Sequence, residues 1–282
     1  MKNQRIPILM YHEIIEKGLV NKFSDFIQKN YIVETTFFEK QLQYLSQQRF
    51  KCITISDLLE LTTLSDKNIV CITFDDGYLG NYQNAFPLLM KYNYKATFFL
   101  VTDWIGKKNM MNWQQVNEMM NKGMEIGSHT KSHLMLSGYE SDKVYQELWE
   151  SREGIKKNLN FDCKIISYPG GSYTSKVNEI ALRVGYKHIL SSDFGYFESK
   201  INNVTIKRIV VGNSLSALLH ILHPGRLFLL TCLTKETIKK FLKLLLGRVR
   251  YDQIYFKLFN LHSPVKEYHV FFLSLLLEKI CR

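Results

Sequence analysis

An α/β fold built on a largely parallel sheet or barrel is the class this sequence predicts. Three observations carry it. Short β-type apolar runs recur along the chain, helical patterns fill the intervals between them, and 5 Pro and 15 Gly in 282 residues are too few for long irregular or low-complexity stretches. A chain of this length, 46% hydrophobic, buries a real core as one large α/β domain with an appendage or as two domains.

The elements follow in order. Ile6 to Met10 is the first strand; its apolar run contains Pro7 and is too short for the apolar region of a signal peptide despite the basic start. Thr36 to Gln48 reads as a helix, because Phe37, Phe38, Leu42 and Leu45 approximate one apolar face. Ile69 to Phe74, Ala96 to Val101 and Met124 to Ile126 are the next strands. Ser141 to Asn158 is a helix opened by a Ser-Asp cap. Ile165 to Tyr168, Lys187 to Leu190 and Val204 to Val211 complete the strands, and no internal repeat is visible.

After about Gly212 the composition changes. Residues 235 to 282 hold ten Lys or Arg against four Asp or Glu, a net of +6 out of +11 for the whole chain. Lys239-Lys240-Phe241-Leu242-Lys243-Leu244-Leu245-Leu246 is typical of this region. A basic amphipathic helix of this kind lies on an anionic membrane surface, or else packs on the main domain with its lysines solvated. The expected division is therefore residues 1–212 as the main domain and 213–282 as a helical basic extension. Leu227 to Leu233 and Val270 to Leu277 fall short of the roughly 18 apolar residues a membrane span needs.

Five cysteines, Cys52, Cys71, Cys163, Cys232 and Cys281, are odd in number and scattered, with no CxxC pair. That excludes a disulfide framework and a thiolate zinc site, and with no signal segment the expected location is the cytoplasm, with peripheral contact at the inner membrane face if the extension is a surface anchor. The charge excess favours an acidic partner without choosing among nucleic acid, phospholipid and phosphate-bearing substrate. Lys239 to Tyr255 interleaves basic and aromatic residues, but no base-reading motif accompanies it, so no nucleic acid is expected.

Two segments carry chemistry. Ile69 to Phe74 ends in Asp75-Asp76-Gly77. Neighbouring strand side chains point to opposite faces, so two adjacent acids address one pocket only where the strand stops and the chain turns, which Gly77 permits. One acid is then free to bind a metal and the other to act as a base, although a helix cap or Asx turn is the commoner use of such a triplet. His129 and His133 stand at i and i+4, a spacing that places both on one side of a helix or strand; Thr130 occupies the position of the zincin glutamate and excludes that protease class. Asp, His and His together form a three-ligand set that leaves a coordination position open for water.

Thr73-Phe74-Asp75-Asp76-Gly77 and His129-Thr130-Lys131-Ser132-His133 resemble the first two motifs of the NodB-homology polysaccharide deacetylases, carbohydrate esterase family 4. Lys95 to Phe99 and Glu125 to Ser128 fit the same pattern. The resemblance covers roughly residues 6 to 212 and implies a distorted (β/α) barrel with its site at the C-terminal ends of the strands. It also implies a divalent metal, zinc first, on Asp76, His129 and His133, with Asp75 as general base for attack of water on an N-acetyl amide. Leu9 to Glu13 resembles the YHE segment of the circularly permuted poly-N-acetylglucosamine deacetylase branch, which makes His12 the candidate general acid; His220 and His223 are alternatives. The family's third motif corresponds to Ser167-Tyr168-Pro169-Gly170-Gly171. There the Gly170 amide is the implied oxyanion donor, and Ser167 replaces the arginine that would orient Asp75. Trp113, Asp193, Tyr173 and Arg208 are candidates for sugar subsites, with Arg208 also a candidate replacement for that cation; core packing or surface pairing is the commoner role for each.

The implied function is hydrolysis of an N-acetyl group on a GlcNAc-containing glycan or lipid-linked saccharide. The alternatives are a catalytically impaired carbohydrate- or lipid-binding barrel and a related deformylase or amidase.

Overall fold

The computed structural model describes residues 5–19, 31–61, 68–198, 204–247, 250, 251 and 254. Seven strands form a closed parallel ring: β1 (Ile8–Tyr11), β5 (Ile69–Phe74), β6 (Thr97–Leu100), β7 (Glu125–Ser128), β8 (Ile165–Ser167), β9 (His188–Phe194) and β10 (Thr205–Val210), with β10 returning to β1. The distorted (β/α) barrel is thus the observed fold. Closure runs through β1, which pairs with β5 from Ile8↔Cys71 to Tyr11↔Phe74. Three short strands were not legible in the sequence. β4 (Lys51–Ile53) lies beside the start of β5, and β2 (Glu13–Ile15) pairs with β3 (Ile32–Glu34) apart from the ring.

Alternation along the strands sorts side chains into two cores. On β5, Ile69 and Cys71 join Ile8, Phe99, Ile165 and Leu190 in a small cluster, whereas Val70, Ile72 and Phe74 belong to the large one under the helices. Gly127 on β7 makes room for this packing, because a Cβ there would meet the Phe99 ring at 2.5 Å.

Helices α1 (Thr35–Gln47), α2 (Ile55–Glu60), α3 (Phe86–Lys91), α4 (Trp113–Asn121), α5 (Ser141–Leu159) and α6 (Ser175–Val184) connect the strands. α2 starts at a capping box on Thr54 and Asp57, and its Ile55 and Leu58 enter the inner cluster at the strands' N-terminal ends. α5 corrects one expectation: its N-cap is Glu140, with no side-chain cap bond, and Ser141 is already helical. The first turn is instead favoured by the negative charge of Asp142 near the helix N-terminus.

Beyond residue 212, α7 (Leu215–Leu222) buries Leu218 and Ile221 in the large core, and α8 (Arg226–Leu246) follows. Gln41 on α1 donates to the carbonyls of Gly212 and Ser214 across this junction. Among the described residues no single helix is long and apolar enough to cross a membrane. The apolar run from Val270 to Leu277 lies outside the described residues.

Candidate active site

The inner row of β5 leads into the site. Residues 69, 71 and 73 face the barrel interior, and Asp75 extends that row one step past the strand end, its N–H donating to the Tyr11 carbonyl. The chain then turns through two left-handed residues, Asp76 at φ 76° and Gly77 at φ 86°. The turn needs Gly77, as expected, and also holds Asp76 itself in a conformation that costs an L-residue energy. That turn brings the second carboxylate to the same pocket as the first.

His129 follows Gly127 by two residues and so emerges on the inner side of β7. Its Nδ1 lies 2.8 Å from the Ser167 carbonyl, which as an acceptor fixes the proton on Nδ1 and leaves Nε2 with a free lone pair. His133 ends a turn held by its own N–H donating to Thr130 Oγ1, with both residues at positive φ. The two Nε2 atoms stand 3.4 and 3.3 Å from Asp76 Oδ1, and the three donor atoms lie within 4.8 Å of one another. Asp76 Oδ1 is sealed from solvent with no hydrogen-bond partner among the described residues. A buried anionic oxygen facing the His129 lone pair and the His133 imidazole is a donor set suited to a divalent cation.

The electrostatics are consistent with that reading. Burial pushes the Asp76 carboxyl up, but His133, His12 and His129 outweigh it and hold the group well below the carboxylate range. Burial lowers the His129 pKa to about 4 against the pull of Asp75 and Asp76, so its ring is neutral and able to ligate at neutral pH.

Asp75 has a different partner. Burial again raises its pKa, and the charge and hydrogen bonds of Arg208 more than reverse the effect. The Arg208 guanidinium, only 1% exposed, donates from Nη1 to Asp75 Oδ1 and from Nη2 to Oδ2, both at 2.7 Å. It also donates to Ser167 Oγ at 2.6 Å, to Thr73 Oγ1 at 3.1 Å and to the Ser191 carbonyl at 3.1 Å. The expectation that Ser167 leaves Asp75 without a cation is therefore corrected. Ser167 makes space on β8, and β10 supplies the arginine instead. Arg208 accordingly does not line a sugar subsite.

His12, at the end of β1, lies within electrostatic reach of Asp76, Asp75 and His133, and its Nδ1 is sealed without a hydrogen-bond partner among the described residues. Burial lowers its pKa, opposed by the two aspartates. The alternatives are placed elsewhere: His223 Nε2 pairs with the Tyr44 hydroxyl at 3.0 Å, and His220 stacks on Phe228. Gly170 is exposed on the turn after β8, at φ 58°. Of the other subsite candidates, Trp113 packs against the helix-layer core, and the Tyr173 hydroxyl donates to Asp193, which also pairs with Lys239 of α8.

Several neighbours of the site were missed from sequence. Trp104 stacks on His133 with ring centroids 5.1 Å apart, and Tyr31 lies 4.2 Å from His12 by the same measure. Glu13, next to His12, is raised to about 7 by burial and by the charge of Asp76. Adjacency to His12 was the available signal for Glu13; none pointed to Trp104 or Tyr31.

Comparison with known proteins agrees with this geometry. The family model described as polysaccharide deacetylase matches residues 64–189. The YxkH protein of Bacillus subtilis (strain 168), whose name places it among the polysaccharide deacetylases, is 30% identical over 218 residues, covering 76% of this chain and 74% of the relative. A poly-beta-1,6-N-acetyl-D-glucosamine N-deacetylase of Staphylococcus aureus is 27% identical over 226 residues, 73% of this chain and 78% of the relative. Among solved structures, the Streptococcus pyogenes deacetylase PplD in complex with acetate superposes with a TM-score of 0.71 at 28% identity, covering 79% of this chain and 100% of that one. IcaB from Ammonifex degensii, at 21% identity and a TM-score of 0.68, has the same fold. With motif residues, barrel and relatives in agreement, the chain belongs to the polysaccharide deacetylase family and is a carbohydrate deacetylase of the NodB-homology type.

Proposed function

We propose that the protein hydrolyses the N-acetyl group of a GlcNAc unit in a glycan or lipid-linked saccharide, with a divalent ion, zinc first, held by Asp76, His129 and His133. One observation carries the reading: three ligand-type atoms converge in a buried pocket beside a second carboxylate that is clamped by an arginine. An ion at that position would supply Lewis acidity and lower the pKa of a water to about 7.

The chain's own residues account for the rest. Asp75 is ionised and oriented by Arg208, so it can accept the proton of the attacking water. His12, at the end of β1 and within electrostatic reach of both aspartates, protonates the departing amine. The Gly170 N–H at the exposed turn stabilises the developing oxyanion. The name of the staphylococcal relative supports a GlcNAc substrate. Cys52, Cys71, Cys163 and Cys232 are free, which supports a reducing, cytoplasmic setting.

Acetate release from N-acetylglucosamine oligomers tests the reading. The expected result is acetate and free amine in equal amounts, stopped by a chelator and restored by zinc. No acetate from any N-acetylated saccharide with metal supplied would remove the reading.

A further inference from the structure

On α8, Leu227, Leu230, Leu233, Phe241, Leu244 and Leu245 are all more than half exposed, Leu227 at 79% and Leu244 at 83%. At 3.6 residues per turn they fall on a single stripe along the helix. A surface helix ordinarily turns its apolar stripe to the core; here the opposite side is the docked one. Glu236 and Leu242 are buried, Lys239 reaches Asp193 at 3.3 Å, and Lys243 lies over the Tyr251 ring. Lys239 and Phe228, which lies against Phe194, tie α8 to the barrel, Leu242 and Lys243 pack on Tyr251 of the following segment, and the apolar stripe is left outward.

The polar residues around the stripe narrow the partner. Glu236 is the sole acid on α8 and it is buried, whereas Arg226, Lys235 and Lys240 are exposed. Two copies of this chain meeting through the stripe would bring like charges together. An anionic bilayer instead offers acyl surface to the leucines and phosphates to the lysines. α7 and α8 meet at a 93° bend, and α7 is held on the barrel through Leu218 and Ile221, so the contact lies in the membrane plane.

We propose that the outer face of α8 is a docking surface for an anionic lipid membrane. The surface adjoins the catalytic end of the barrel. Its tether, Asp193, lies two residues beyond Ser191, whose carbonyl holds Arg208. The inference does not depend on which sugar the site accepts.

Co-sedimentation of the full chain with vesicles of phosphatidylcholine, or of phosphatidylcholine mixed with phosphatidylglycerol, tests the proposal. The chain is expected to sediment with the anionic vesicles and not with the neutral ones. The Leu230→Asp/Phe241→Asp/Leu244→Asp and Lys235→Glu/Lys240→Glu variants are each expected to lower the bound fraction about tenfold or more, with unchanged circular dichroism. Point substitutions are used so that residues 255–282 remain present. Wild-type chain left in the supernatant, apolar-face variants that sediment as wild type, or a wild-type dimer that the triple variant dissociates would each overturn it. Sedimentation is read without turnover, so a failure here leaves the acetate-release result untouched.

Discussion

Asp75→Asn is expected to lower turnover by about 10²- to 10⁴-fold while the bound metal stays at the wild-type level, the signature of a lost general base. The substitution keeps the side-chain shape but removes the charge that accepts the proton. It also turns one of the two Arg208 contacts into a donor facing a donor, so rates are to be compared on protein shown to be folded. Asp76→Asn should behave differently, because Asp76 Oδ1 is the atom that faces both imidazoles. There the metal itself is expected to be lost. Equal metal loss in both variants, measured by elemental mass spectrometry, would mean that the two aspartates have exchanged roles.

Arg208→Met is expected to destabilise the fold by about 3–5 kcal/mol, the usual cost of leaving one member of a buried ion pair without its partner. Thermal unfolding reads that loss directly. A second effect separates positioning from bulk stability. Burial raises the Asp75 pKa and Arg208 is the largest influence against it, ahead of His129 and His12; without the guanidinium the carboxyl pKa rises. A base works only when deprotonated, so the acid limb of kcat/KM should move to higher pH in the variant. The linkage has the matching sign. The folded pKa of Asp75 is depressed, so the pair's contribution is present above the unfolded carboxylate value near about 3.9 and is lost as pH falls through the lower folded value. The variant should lack that acid-side dependence. Arg208→Lys keeps the charge but not the two-pronged contact and should shift the limb less. An acid limb unmoved in Arg208→Met would show that Arg208 serves stability alone.

The strands of the ring were legible from apolar runs in or beside them that alternate with helical patterns. Ile69–Phe74, buried at every position, is the clearest case. Lys51–Ile53 and Glu13–Ile15 are three residues long and mixed in polarity, and so short a run has no readable period. In the site, Asp75, Asp76, His129 and His133 were readable because each acts beside a neighbour in sequence. Arg208 was open only as one candidate replacement for the missing cation, because 133 residues separate it from Asp75 and only closure of the ring brings β10 across from β5. Trp104 was hidden for a related reason: it meets His133 through a loop after β6 that no local pattern predicts. Likewise, the lysines of α8 are visible in the sequence, but the chain pattern does not reveal that most of its leucines face outward as well.

Whether Asp76, His129 and His133 form one metal site is read from the metal content of protein purified without chelator, beside His129→Ala. About one zinc, or a similar divalent ion, is expected per wild-type chain and almost none in the variant. Absence of metal from the wild-type protein even after zinc is added, or equal metal in both proteins, would contradict it.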